Sequence, residues 1–363
     1  MSEPKPEPAP VDASEANRPL NRAEIQQMIS DQLNTMVQAS GNELWKTELT
    51  AERVHQIINN RLSTQRPVSW EEDISRNTLD TEPFENLPSP ASRDPEDFNR
   101  SQKRQVIESM LGGSSLEDMI AKDTFPIPCA EDREGYSPGN DGHYWFSGLE
   151  DYLKIIDAAK THNVPTRSIF DFGCASGRVI RHFVAQSDIE TIWGSDINNR
   201  HIRWLFEFLP INVRPIFNHC IPCLPMPDGS VDIVSAFSVF THIDTFETHW
   251  LAELSRVLSD DGMAYLTVHN EDTWAVLRDE IDNEKNRLIQ SMLRIDPNVR
   301  QQLMEPMPDR RLVYRFSQTG PYRAQVFHPN RYLERVWGRF FKIEAILPRH
   351  HTRQTVLILR KKR

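Results

Sequence analysis

The chain has 363 residues, a formal net charge of −10, 38% apolar residues, 25 prolines and a mean hydropathy of −0.56. That suffices for one large domain with an extension, though a good fraction is too polar to pack. There is no run of 18 apolar residues, the start is unlike a signal peptide, and the bulk acidity disfavours non-specific nucleic-acid binding, so a cytoplasmic protein is expected, with no membrane span and no nucleic-acid partner.

Residues 1–20, rich in proline, acids and small side chains, predict a disordered tail. Ile25, Met28, Ile29, Leu33, Met36 and Val37 recur at helical spacing, followed by Val54, Ile57, Ile58 and Leu62. Residues 21–64 thus read as a helical hairpin, which docks on the rest of the chain or pairs two copies as a homodimer. Pro67, Pro83, Pro88, Pro90 and Pro95 among many acids mark 65–100 as a linker. Residues 101–140 read as a helical segment broken near Gly112-Gly113.

The texture then changes. Strand-like Ser168–Phe172, Thr191–Gly194, Val213–Phe217, Val231–Phe237 and Met263–Val268 alternate with helix-like Arg178–Ala185, Ile197–Leu209 and Glu247–Leu258. Short loops between them predict a parallel sheet covered on both faces, the α/β doubly wound class, with an N-terminal helical extension. Cys220-Ile-Pro-Cys223 has the spacing of half a zinc site, but no second CxxC exists; the four cysteines read as reduced thiols and no metal is expected. Residues 300–363 carry a net +11, leaving −21 for the rest, and this basic end is either a solvated face or suited to an anionic ligand.

Two sites carry chemistry. In Ile169-Phe-Asp-Phe-Gly-Cys-Ala-Ser-Gly-Arg178 a buried strand delivers Asp171 to its carboxyl end, and Gly173 and Gly177 permit close backbone approach before a helix begins. Amides at that helix start suit a carboxylate, and Asp171 suits a cationic amine. Asp196 closes the next strand, 19 residues beyond Gly177, where a carboxylate can accept both ribose hydroxyls. An amino acid at one end and a nucleoside at the other describe S-adenosylmethionine.

Asp171-Phe-Gly-Cys-Ala-Ser-Gly-Arg178 resembles the first motif of class I S-adenosylmethionine-dependent methyltransferases. Leu224-Pro-Met-Pro-Asp-Gly-Ser-Val-Asp-Ile-Val234 is similar to their signature leading into the fourth strand, and Ser238-Val-Phe-Thr-His-Ile243, Trp250-Leu-Ala-Glu-Leu-Ser-Arg-Val-Leu258 with Gly262, and the ending Tyr332–Phe341 are similar to the type 11 branch, associated with bacterial glycan and polysaccharide pathways. The resemblance spans residues 141–363, with 272–328 as an insertion, and implies a mostly parallel seven-stranded Rossmann-like sheet. Two further strands around Lys342–Leu347 and Thr355–Leu359 complete it, the last antiparallel. The implied cofactor contacts are Asp171, Gly173, Cys174, Ala175, Gly177, Asp196, Ile197, Asn218, Phe237 and Ser238. Ala175 replaces the usual middle glycine, and Asn218 stands where an acid often meets the adenine amine. A nicotinamide site fits poorly, because Arg178 occupies the place of the third glycine in GxGxxG.

A hydroxyl acceptor benefits from a general base. His242 and His269 follow the fourth and fifth strands and are the candidates, with Asp244 and Glu271 beside them. Arg287, Arg294, Arg310, Arg311 and Arg315 in the insertion suit a phosphate on a nucleotide or lipid-linked sugar, or form a solvated face. His143-Tyr-Trp-Phe146 either closes over the cofactor or packs on the first helix. The expected reaction is O-methylation of a sugar or glycan hydroxyl. A small metabolite, a protein side chain, and a catalytically silent scaffold are the alternatives.

Overall fold

The computed structural model describes residues 90–91, 95–137, 139–316 and 323–362. The expected tail, the hairpin with its dimer, and most of the linker lie outside the described residues. Within the stretch read as linker, Pro95–Arg100 forms α1. Lys103–Met110 (α2) and Leu116–Lys122 (α3) follow. Gly112 and Gly113 between them have φ of +56° and +103°, a turn that side chains with a Cβ adopt at a cost.

Asp141–Thr161 (α4) is a 21-residue helix beyond the elements read from sequence, opened by the Asn140 side chain accepting from the His143 amide. Then come Ser168–Phe172 (β1), Ile180–Gln186 (α5), Thr191–Asp196 (β2), Asn199–Phe208 (α6), Val213–Phe217 (β3), Val231–Ala236 (β4), Glu247–Val257 (α7) and Leu258–Val268 (β5). The insertion contributes Glu271–Asp279 (α8), Arg287–Ile295 (α9), Val299–Met304 (α10) and the two-stranded ladder of Leu312–Arg315 (β6) with Ala324–Phe327 (β7). Asn330–Val336 (α11), Phe341–His351 (β8) and Gln354–Lys361 (β9) end the domain.

Seven strands form one sheet in the order β8-β9-β5-β4-β1-β2-β3. Strands β1 to β5 run parallel, and β9 is antiparallel to both its neighbours, as the resemblance implied. Parallel strands buried on both faces read as apolar runs, and β1 and β4 are buried throughout. Their alternate residues divide between two cores. Ile169, Ile233 and Tyr265 pack under α4, α5 and α6, whereas Phe170, Val234 and Leu266 pack under α7 and α11. The insertion has its own core around Trp274, Leu277, Ile289, Met292 and Leu303. Order reverses at β1, whose neighbours lie on opposite sides, so the carboxyl ends of β1 and β4 frame the crevice where such sheets bind ligands.

A buried polar knot ties the leading segment to this sheet. Asp123, fully buried, accepts from Trp145 Nε1 at 2.7 Å and from Arg181 Nε and Nη2 at 2.7 and 2.9 Å. Arg181 spends its other donors on the carbonyls of Phe125 and Pro126. Removing one member strands the opposite charge without water. Asp123→Ala is therefore expected to cost about 3–5 kcal/mol, read as a lowered urea midpoint at unchanged slope.

Candidate functional site

One cavity of about 1390 Å³ lies along the carboxyl ends of the strands. The loop from β1 to α5 forms part of its rim. Gly173 and Gly177 have φ of +74° and +76°, and a Cβ at Gly173 would run into Val239 Cγ2. Ala175 also lies in the left-handed region, at φ +46°, which strains a residue with a side chain and explains why glycine suits this place better. Of the loop residues expected at the cofactor, Gly173 and Ala175 line the cavity, while Cys174 and Gly177 do not.

Four of the loop amides bond within the fold. Those of Gly173 and Cys174 donate to the Ser195 carbonyl at 2.8 and 2.9 Å, and that of Gly177 to the Cys174 carbonyl at 3.0 Å. The Ala175 amide donates to Asp196 Oδ2 at 2.9 Å. These four amides brace the loop against β2 and within itself, whereas the carboxylate is expected at the helix start, which falls at Ile180. Asp196 is fixed on its other side by the Asn198 amide at 2.8 Å and keeps further lone pairs toward the cavity that it lines with Ile197 and Asn218. The Asn218 amide nitrogen donates to the His219 carbonyl, while its Oδ1 is buried without a hydrogen-bond partner.

Asp171 sits behind the wall, 3% exposed, accepting from Ser235 Oγ at 2.7 Å. Burial pushes its carboxyl up to about 7, against the pull of Ser235 and Arg178 and with help from Asp151 and Asp196. Phe237 and Ser238 close β4 and line the cavity beside Phe172 and Trp250, whose rings are 4.7 Å apart.

Both candidate bases line the cavity. His242 Nδ1 is 2.8 Å from the Ala324 carbonyl; a carbonyl only accepts, so Nδ1 carries the hydrogen and Nε2 the lone pair. Burial lowers its pKa, so the ring is neutral. His269 is pushed down to about 3, by burial first and then by His242 and His328, which leaves it neutral and weakly basic. Asp244 is occupied by Arg315 Nη2 and Arg323 Nη2, at 2.6 and 2.8 Å. Glu271 accepts from the Asn330 amide at 2.8 Å.

The insertion's arginines separate. Arg311 is held by Glu247 at 2.8 Å and Arg315 by Asp244, whereas Arg287 and Arg294, with Ser291 between them, turn one face of α9 to the cavity. Lys285, Arg349 and Arg353 extend that cationic wall. Arg310 does not line it. Of His143-Tyr-Trp-Phe146 only His143 reaches the cavity, because the three aromatic rings are core.

What lies over this part of the cavity is a segment the sequence did not announce. Glu134, Gly135, Tyr136 and Ser137 line it. Arg200 holds Asp132 at 2.5 Å, His201 Nε2 holds Glu134 at 3.0 Å, and Ser176 Oγ donates to the Asp132 carbonyl. Three consecutive-region residues with positive φ, Glu134, Gly135 and Ser137, leave no periodic signature. Asp151, Arg178 and His351 were also missed. The available signal was a carboxylate on the otherwise apolar face of α4 that holds Tyr144, Gly148 and Ile155.

A strand-order switch, a glycine loop braced on one strand end and a carboxylate closing the next define a nucleoside-cofactor-binding α/β protein. Residues 143–320 match the family described as methyltransferase domain. Similar solved structures include a Pyrococcus horikoshii protein (17% identity, 59% of this chain and 91% of that one, TM-score 0.40). A Burkholderia thailandensis 1,6-didemethyltoxoflavin-N1-methyltransferase, solved with 1,6-didemethyltoxoflavin and S-adenosylhomocysteine bound, is 12% identical over 76% of this chain and 94% of that one, TM-score 0.40. An S-adenosylmethionine-dependent methyltransferase from Clostridium acetobutylicum is 8% identical over 60% and 92%, TM-score 0.40. The domain is that of an S-adenosylmethionine-dependent methyltransferase, and S-adenosylmethionine is its cofactor.

The Asp171 carboxyl has a consequence for stability. It stays protonated in the folded chain up to about pH 7 but ionises near 4 when unfolded. Between those values the unfolded state binds fewer protons, so stability falls as pH rises through that window and levels off above it. Asp171→Asn removes the penalty. The variant is expected to be more stable than wild type at pH 8, by up to roughly 4 kcal/mol, with the gap closing toward pH 4. Thermal unfolding at both pH values checks this.

Proposed function

We propose that the domain O-methylates a sugar or glycan hydroxyl on an acceptor that also carries an anionic group, a phosphate in the first instance, and does so in the cytoplasm. The observation that carries this reading is the composition of one cavity wall: Asp196 toward one end, neutral His242 and His269 beyond β4 and β5, and the cationic face of α9 on the insertion. Asp196 accepts the ribose hydroxyls, the unpartnered Asn218 Oδ1 takes the adenine amine, and Ile197 packs on the base. Phe237 and Ser238 border the methionine portion. Asp171, Gly173, Cys174, Ala175 and Gly177 act through the shape and charge of the loop.

When bound, S-adenosylmethionine supplies an electrophilic methyl group. The chain's own work is to align the acceptor, exclude water and receive a proton, and alignment alone is worth roughly 7–11 kcal/mol in favourable cases. Both histidines expected as bases border this wall; His242 is held through Nδ1 at the Ala324 carbonyl, and burial lowers the pKa of each. Arg287 and Arg294 lie one above the other on α9, at i and i+7, a spacing that places two guanidinium groups on one anion or on two linked ones.

Calorimetric titration with S-adenosylhomocysteine tests the cofactor half. Asp196→Ala is expected to weaken binding by roughly ten- to a hundredfold, the loss of hydrogen bonds to a carboxylate, with the fold retained by circular dichroism. Absence of binding by folded wild type would sink the reading. For the acceptor half the probe is inorganic pyrophosphate titrated into the S-adenosylhomocysteine complex. Binding that weakens with salt, and that drops by roughly tenfold or more in the Arg287→Ala/Arg294→Ala double variant, is expected. Equal affinity of the double variant would remove the phosphate from the proposal.

A further inference from the structure

Another histidine of the cavity stands on a different footing. His351, at the end of β8, is 5% exposed, and its Nδ1 lies 3.0 Å from Asp151 Oδ1. Its Nε2 lies 3.1 Å from the Tyr136 hydroxyl, which in turn lies 3.2 Å from Ser238 Oγ. Gln354 Nε2 donates to that same Ser238 oxygen at 2.8 Å. Asp151, Tyr136, Ser238, His351 and Gln354 all line the cavity.

With a neutral imidazole, Asp151 sets the direction of the bonds in this chain. Asp151 is held well below the usual carboxylate range; burial opposes that, but His351 and Arg178 outweigh it, so it only accepts. His351 Nδ1 therefore carries the hydrogen and Nε2 is bare. The Tyr136 hydroxyl must donate to that bare nitrogen, leaving its oxygen lone pairs for Ser238 and for a ligand in the cavity. The arrangement is a hydroxyl, an imidazole and a buried carboxylate in series, the logic of an activated acceptor for a proton.

We propose that Tyr136, His351 and Asp151 form a proton relay serving the methyl transfer, with Tyr136 as the group that meets the acceptor's hydroxyl. This rests on the reading of the acceptor as a hydroxyl nucleophile. As the acceptor oxygen bonds the methyl carbon and the carbon–sulfur bond breaks, the acceptor's proton passes to the Tyr136 oxygen and the phenol's own proton passes to His351 Nε2. The positive charge lost at sulfur reappears on the imidazolium, beside Asp151. His351 and Asp151 are positioning residues in this scheme. The charged and titratable groups facing the relay are Asp151, Glu150 and Lys154 on α4, Arg178 before α5, Asp171 on β1, and Arg349 and His350 on β8. Arg178 holds Asp151 at 2.7 Å and lies 4.1 Å from the centre of the Tyr136 ring, so it keeps the carboxylate ionised and the ring in place.

Two measurements decide the matter. Long-range nitrogen–proton spectra of the S-adenosylhomocysteine complex, with His351 assigned through His351→Gln, are expected to show a neutral ring protonated on Nδ1. A hydrogen on Nε2 overturns the relay, because that nitrogen then has no room for the phenol's proton. Second, transfer of tritiated methyl from S-adenosylmethionine into a deproteinised cell extract is compared in wild type and Tyr136→Phe. The variant is expected to transfer about 10²–10³-fold more slowly. Its S-adenosylhomocysteine affinity should stay within about threefold of wild type, well under the 1.4 kcal/mol of a tenfold change. His351→Gln is expected to slow transfer while leaving S-adenosylhomocysteine affinity within the same threefold. Unchanged transfer in Tyr136→Phe, or loss of transfer in step with loss of S-adenosylhomocysteine binding, overturns the relay. Failure of the wild type itself to bind S-adenosylhomocysteine removes the methyltransferase reading, which a failed relay leaves standing.

Discussion

A guanidinium buried away from water must be matched by a carboxylate, and Arg178 is where this domain meets that demand. It stands at the end of the loop that follows β1, 5% exposed, with Asp151 of α4 as its partner. The pair joins the cofactor loop to the helix that precedes the sheet. Because Asp151 must stay ionised to serve Arg178, it is also available to orient His351, and through it the hydroxyls of Tyr136 and Ser238. One electrostatic obligation thus aligns residues from four separate stretches of chain on the cavity wall.

The insertion is attached by the same physics. Asp244 and Glu247 flank the start of α7 and are both buried in pairs with arginines of the insertion: Arg315 and Arg323 on one, Arg311 on the other. Glu247 also accepts from Trp337 Nε1 at 2.5 Å, and with His328 and Arg311 nearby its carboxyl is drawn down to about 2 despite burial. The basic excess of the last 64 residues is therefore not a uniform field. Part of it is neutralised in holding the fold, and of these residues Arg323, Arg349 and Arg353 line the cavity.

The sheet was legible because buried parallel strands leave apolar runs whatever they pack against, and Val213–Phe217 agrees with the observed β3 to the residue. Strand β5 begins at Leu258, five residues before the stretch read as Met263–Val268, since Asp260-Asp261-Gly262 masks its polar first half. Helix α4 escaped notice for a packing reason. Gly142 and Gly148 lie on its buried side, where a Cβ would strike the carbonyls of Asp97 and Arg178. Small residues that permit close approach erase the hydrophobic period by which a helix is read. Within the site, Asp196 and the glycine loop were visible because their spacing is local. Tyr136 and His351 are 215 residues apart, and no local pattern links them; the commitment of the loop amides to Ser195 likewise depends on how two strands pair.

Asp244 bonds both strands of the insertion's hairpin at once, Arg315 on β6 and Arg323 just before β7. A hairpin pinned through both legs to the loop beyond β4 does not swing as a flap, because lifting either leg strands a buried carboxylate. Helix α9 is joined to that hairpin through apolar packing and presents exposed, cationic side chains to the cavity. The two attachments differ in kind: the hairpin is held to the sheet by buried charge, and α9 is held to the hairpin by apolar contact.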